Sequence, residues 1–223
     1  MHHIFVDFEM NHIAGQYQEE RTFSKMEIVE IGAVMLDEQY REISSFQSYV
    51  KPEFNDKIEK QCTKVTGITT DTVADAPALW PVLQQFVRWC GTDDLTVYAW
   101  SDSDLRQLKR ELNLKEIECK ELHRLCNNWV DFQRTFCDLL GIEKRVALKH
   151  AVNAIQSEFD GNEHDALWDA RNTAKIFALS KNEAEFQRIM GPVIEAFKPV
   201  EPMTSTLGDL FPDMAKLLGT IES

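Results

Sequence analysis

The sequence predicts an α/β protein, a mixed sheet of about five strands with helices packed around it and a helical extension at the C-terminus. Three observations carry this. Apolar, strand-like runs crowd the first part of the chain, from Ile4–Phe8 to Ile43–Val50. Helical stripes alternate with a further strand, Leu95–Trp100, in the middle. Later, Ala166, Ala170, Ala174 and Ala178 recur every four residues, a seam that lets a helix pack closely. Strands followed by alternating helices and strands fit a sheet flanked by helices. The 223 residues suffice for one large domain with an appendage, and we place the division at 1–182 and 183–223.

The first strand is Ile4 to Glu9. Alternate residues of a strand share a face, so Ile4, Val6 and Phe8 point one way and Phe5, Asp7 and Glu9 the other. The run is too continuously apolar for an edge, which puts this strand at the centre. Glu27–Leu36 reads as a second strand and Ile43–Val50 as a third, joined by a hairpin through Asp37-Glu38-Gln39 and closed by Pro52. Lys57–Thr63 is a short helical candidate, and Thr66-Gly67-Ile68 a turn. Pro77 suits the first position of a helix running to Cys90, with Leu79, Val82, Leu83, Phe86 and Val87 as its apolar face. After the strand Leu95–Trp100, Leu105, Leu108 and Leu112 mark a helix. Trp129–Leu140 and Val146–Ile155 read as helices, and Asp165–Ser180 as the last strong helix of the body.

Beyond Glu183, Pro192, Pro199 and Pro202 punctuate the chain. Leu207, Leu210, Phe211, Met214, Leu217, Leu218 and Ile221 then form an amphipathic stripe, broken or restarted at Pro212. Such a stripe packs on its own domain, docks a partner, or covers a cleft. We favour the first, because stripes of this kind usually face a core.

A net charge of −13 excludes a protein held to nucleic acid by a broad basic surface. It leaves room for an enzyme that grips only a strand end, with metal ions as the local positive charge. The five cysteines are odd in number and form no Cys-x-x-Cys pair, so reduced thiols are expected rather than a zinc site or disulfides. No basic segment precedes an apolar one at the N-terminus, and no apolar run approaches about 18 residues. A cytoplasmic protein without membrane contact is the expectation.

The chemistry lies in three separated places. Asp7 and Glu9 end the first strand on one face, and two acids so close raise each other's pKa unless a cation holds them. A divalent metal is the natural partner for such oxygens; a strand end with two solvated acids is the bland alternative. Second, Trp100-Ser101-Asp102-Ser103-Asp104 follows a strand and opens a helix, where α/β sheets usually place their sites. These acids also suit helix capping and the helix dipole. Third, Asp169 falls inside the alanine-rich helix, where an acid is costly unless something uses it. His164 precedes that helix in a turn begun by Gly161-Asn162, and a histidine there is either a proton carrier or an ordinary surface residue.

Asp7-x-Glu9, Asp104 and His164-x4-Asp169, in this order, resemble the DEDDh class of 3′→5′ exonucleases in the ribonuclease-H-like superfamily. Glu27–Val34, Thr66-Gly67-Ile68 with Ala76-Pro77, and His164-Asp165-Ala166-Leu167-Trp168-Asp169-Ala170 resemble further stretches of that class. Phe5-Val6-Asp7-Phe8-Glu9 and Tyr49-Val50-Lys51-Pro52 are most similar to Eri-type RNA exonucleases and bacterial sporulation-inhibitor relatives. The resemblance covers Ile4 to Leu179. It implies a five-stranded ribonuclease-H-like sheet and two divalent cations, Mg²⁺ or Mn²⁺, held by Asp7, Glu9, Asp104 and Asp169. It implies His164 as general base, with Glu9 counted beside it as catalytic. The implied partner is the 3′ end of single-stranded RNA, ahead of DNA, and the implied product a nucleoside 5′-monophosphate. Met10-Asn11 stands where many relatives carry Thr-Gly or Thr-Thr, and Trp100 where a polar residue is common; with Phe8 these are the substrate-binding candidates, Trp100 reading equally as a core residue at a strand end. Lys149, His150, Arg171 and Lys175 are weaker candidates for local basic help. A catalytically silent binding or scaffold module on the same fold is the alternative; it gives no reason to keep all five residues.

Overall fold

A computed structural model describes residues 1–91 and 94–197. The strands are β1 (His2–His12), β2 (Met26–Leu36), β3 (Glu42–Tyr49), β4 (Leu95–Ala99) and β5 (Trp129–Asp131). The helices are α1 (Glu20–Phe23), α2 (Lys60–Thr66), α3 (Thr70–Val73), α4 (Leu79–Cys90), α5 (Ser103–Leu114), α6 (Lys120–Asn127), α7 (Phe132–Leu140), α8 (Leu148–Ala154), α9 (Ala166–Ser180) and α10 (Glu183–Phe197). The sheet runs in the order β3-β2-β1-β4-β5, with β1 central as the sequence predicts. β1 is antiparallel to β2 and parallel to β4.

Each face of the sheet carries its own core. Ile4, Val6 and Phe8 pack with Leu79, Val82, Leu83 and Phe86 of α4 and with Leu108 and Leu112 of α5. Phe5, Val34 and Leu36 face the opposite way, onto Phe132 and Phe136 of α7 and Ala170, Ala174 and Phe177 of α9. The period-two alternation along β1 is what separates the two sets. β2 is covered on both faces, which explains its near-continuous apolar sequence.

Ladder pairing between β1 and β4 stops at Phe5 opposite Tyr98, because β4 ends at Ala99. From Val6 onward that edge of β1 has no parallel strand beside it. The chain leaving β4 turns into α5 there, so the carboxyl ends of two parallel strands open a cleft at the switch in strand direction. A register shift between Glu9 and Met10 bends β1 just beyond the acids.

Several sequence expectations are corrected. Trp129–Asp131 is the fifth strand rather than the start of a helix; three residues are too few to show a period. Asp131 then caps α7, accepting from the Arg134 amide at 3.2 Å. Pro77 lies before α4, which Ala78 caps, and its carbonyl accepts from the Lys51 amide at 2.9 Å. The helix expected from Lys57 begins at Lys60, and α1, α3 and α6 were not anticipated. α10 runs through Pro192 and buries Phe186 and Met190 in the core formed with α7 and α9. The amphipathic stripe from Leu207 to Ile221 lies outside the described residues.

Candidate active site

β1 delivers Asp7 and Glu9 to the face crossed by α9, and the first turn of α5 delivers Asp104 beside β1. Asp104 is buried; its Oδ1 accepts from the Phe8 amide at 3.2 Å, and Ser103 Oγ lies 3.4 Å from Oδ2. The amide that β4 leaves unpaired is thus taken by the carboxylate itself. Asp102, the other acid of this cluster, pairs with Arg106 at 2.9 Å and faces Arg145 at 3.5 Å.

α9 supplies the fourth carboxylate, and its position is set by β2. At Gly32 any Cβ would collide with the backbone of Ala166 and Leu167, so only glycine lets the helix start lie this close. Two residues back, buried Glu30 sits opposite Glu9 in the ladder. Its Oε2 accepts from the Ala166 amide at 3.4 Å and its Oε1 from Gln47 at 2.7 Å. Asp165 caps α9, accepting from the Leu167 and Trp168 amides at 3.1 and 3.2 Å.

The loop before α9 is clamped as well. Asn172, fully buried, accepts from the Asp160 amide at 3.1 Å and donates to the Asp160 and Trp168 carbonyls at 2.9 and 2.8 Å. Gly161, with φ of 73°, lies flat on the Trp168 ring, where a Cβ would overlap the indole. The loop ends at His164, held at φ of 62°. Left-handed backbone on a non-glycine residue costs about 1–3 kcal/mol and is found where surroundings enforce it. Here it brings the histidine back over the acids. Glu9, His164 and Asp169 offer ligand atoms within 4.8 Å of one another.

The electrostatics are one-sided. Burial, then the charges of Asp104, Asp169, Glu9 and Glu30, push Asp7 well above the usual carboxylate range. Burial and the neighbouring acids push Glu9 up to about 9. Burial lifts Asp104 to about 7 against the Phe8 amide, and Asp169 to about 7 against the His164 amide. Asp169 Oδ1 is buried with no hydrogen-bond partner. Buried acceptors without donors are rare and call for an explanation. Four mutually repelling carboxylates with one orphaned oxygen fit a divalent cation, whose oxygen preference matches this donor set.

Of the five residues singled out by sequence, Glu9, His164 and Asp169 therefore meet, and Asp7 and Asp104 lie close enough for the acids to raise one another's pKa. Of the four substrate-binding candidates, only Met10 keeps part of its side chain exposed. Phe8 and Trp100 lie in the two cores, and Trp100 Nε1 donates to the Val146 carbonyl at 3.1 Å. Asn11 ties β1 to the chain before α2, donating to Lys57 O at 3.0 Å and accepting from the Glu59 amide at 2.9 Å. The basic candidates are largely engaged: Lys149 with Glu163 at 2.6 Å, Arg171 with Glu42 at 2.7 Å, and Lys175 with Asp160 at 3.1 Å. Sequence reasoning gave no role to Glu30, Asp165 or Asn172. An acid inside the apolar run of β2 was the available signal for Glu30.

The family model described as exonuclease (RNase_T) matches residues 4–177. Among curated proteins, ERI1 exoribonuclease 2 of Danio rerio is 34% identical over 78% of this chain and 34% of its own length. The 3′-5′ exoribonuclease 1 of Rattus norvegicus is 28% identical over 67% of this chain and 45% of its own. The chain thus spans about a third of the length of the first of these relatives. Among solved structures, the nuclease domain of 3′hExo, a DEDDh family member bound to rAMP, superposes with a TM-score of 0.71. It is 22% identical and covers 82% of this chain and 92% of that domain. With the family's match running through both strands and helices that build the acid cleft, this chain belongs to the exonuclease family.

Proposed function

We propose that this chain is a divalent-metal-dependent 3′→5′ exonuclease that removes nucleoside 5′-monophosphates from single-stranded nucleic acid, RNA ahead of DNA. The observation that carries it is the buried, unpartnered Asp169 Oδ1 among four carboxylates of raised pKa, with His164 alongside. Asp7, Glu9, Asp104 and Asp169 would hold two cations, Mg²⁺ or Mn²⁺. A bound pair of this kind activates water and stabilises the charge that develops on attacking and leaving oxygens in an in-line displacement. The chain's own residues do the rest. His164, in its neutral form, takes the proton of the attacking water. The clamp of Asn172 and Trp168 keeps the imidazole in place. The bond to the 3′-oxygen of the preceding nucleotide breaks, and that oxygen takes a proton from solvent, so that a 5′-monophosphate and a new 3′-hydroxyl are released. Preference for RNA rests on the exoribonuclease relatives and on a neighbour that binds rAMP.

The test is release of mononucleotides from matched RNA and DNA oligomers, labelled at one end, with Mg²⁺ or Mn²⁺ and with EDTA. The expected result is stepwise shortening from a free 3′ end, faster on RNA, abolished by EDTA and slowed by a 3′ block but not a 5′ block. Cleavage of a circular strand, or no metal-dependent release from either polymer, would overturn it; in the second case a silent binding module is left.

A further inference from the structure

The basic residues nearest α9 are neutralised by acids, yet a second, basic cavity opens beside the same cleft. It has a volume of about 510 Å³ and is lined by His12, Arg21, Phe23, Lys25, Gln107 and Arg110 among others, with no carboxylate in its wall. In a chain of net charge −13 such a wall is unexpected. Lys25 and Arg110 are exposed, and neither they nor Arg21 are in an ion pair among the described residues. Arg21 is fixed from below by donating to the Ile13 carbonyl. Buried Gln107 forms the floor, donating to the Met26 carbonyl at 2.7 Å and to Glu111 at 2.8 Å. Phe23 stands at the rim about half exposed, at 49%.

The cavity's position follows from the two elements that carry the acids. His12 is three residues beyond Glu9 on β1, roughly 10 Å at the rise of a strand. Gln107 and Arg110 lie one and two turns beyond Asp104 on α5, roughly 5 and 9 Å along the helix. Unpaired cations with an exposed aromatic ring are the combination that holds single-stranded nucleic acid: phosphates on the charges, a base on the ring.

Resting on the exonuclease reading, we infer that this cavity is a subsite for the phosphate backbone of the same strand, upstream of the nucleotide being removed. Lys25 and Arg110 contact phosphates, Arg21 frames the wall, and Phe23 stacks a base. The strand is held by this local patch because the chain as a whole is acidic.

Two measurements test the subsite. The first compares kcat/KM on an RNA of about 12 nucleotides, well within the length such grooves hold, with kcat/KM on a dinucleotide that ends at the acid cleft. In Lys25→Glu/Arg110→Glu the ratio of long to short should fall at least tenfold. Any misfolded fraction cancels in the ratio, and an unchanged ratio overturns the inference. The second is fluorescence anisotropy of the same RNA in EDTA, where nothing is hydrolysed. Wild type should bind at least tenfold more tightly than the double variant, with a salt slope steeper by about 0.7 for each phosphate contact. Phe23→Ala should lose roughly tenfold. Equal affinities, or no binding by wild type, overturn the subsite. No mononucleotide release by wild type alongside a clear anisotropy difference would sink the exonuclease reading and leave the subsite standing.

Discussion

At Asp7, Glu9, Asp104 and Asp169 the folded chain keeps protons that the unfolded chain would release. Glu9 at about 9, and Asp104 and Asp169 at about 7, stand above their ordinary values of 4.5 and 3.8. Between those limits the native state binds more protons, so its stability falls as pH rises. A cation removes the repulsion. In EDTA, Asp169→Asn is therefore expected to melt above wild type at pH 8, with the gap narrowing as pH falls through 7 and closing only toward the ordinary carboxylate value of 3.8. Mg²⁺ is expected to raise the wild-type melting temperature more at pH 8 than at pH 5. Superimposed melting curves for the two proteins at every pH would show that the acids do not repel as described. His164→Ala is expected to slow mononucleotide release by about 10²–10⁴-fold, the usual worth of a general base, while metal-induced stabilisation persists. A loss of metal response in that variant would make the histidine a ligand rather than a base.

At the scale of elements, function depends on how closely α9 lies against β2. Gly32 permits the approach, Glu30 receives the first amide of the helix, and Asn172 locks the loop that ends at His164. Gly32→Ala forces backbone apart rather than a flexible side chain, so a loss of about 1–3 kcal/mol is expected, in the range of overpacking. The urea midpoint reads the stability. The Mg²⁺ concentration for half-maximal activity should rise with it, because Asp169 moves away from the acids on β1. An unchanged midpoint would mean that α9 shifts without cost and that the contact does not set its place.

Across the whole molecule, charge is arranged as much as apolar surface. A second buried acidic cluster lies away from the cleft, and here a lysine answers it. Lys115 Nζ lies 3.2 Å from Glu27 and from Glu111 and 3.1 Å from Glu53, joining β2, α5 and the chain after β3. Glu27 also accepts from the Glu53 and Phe54 amides, and Glu111 from the Ile28 amide. Lys115→Met would strand two buried carboxylates, and breaking such a group from one side costs about 3–5 kcal/mol. Chemical denaturation should show that loss without any change in the metal concentration needed for activity. The contrast separates the clusters: Lys115 pairs with the acids of one, whereas Asp7, Glu9, Asp104 and Asp169 pair with no lysine or arginine among the described residues.

Much of this was legible in the sequence because it is periodic or local. Alternation in Ile4–Glu9 fixed the central strand and put Asp7 and Glu9 on one side, and the alanine seam marked α9. The resemblance supplied the five residues in order. Tertiary structure decided what depends on neighbours far along the chain. Trp129–Asp131 is a strand only because β4 offers an edge to pair with. Asn11 is turned inward by partners 46 and 48 positions away, and Phe8 and Trp100 by the cores around their rings. Whether a lysine is free for substrate or tied to an acid is likewise invisible in sequence. An ion pair is set by distance in space, and the fold sends Lys149, Arg171 and Lys175 to acids while leaving Lys25 and Arg110 open.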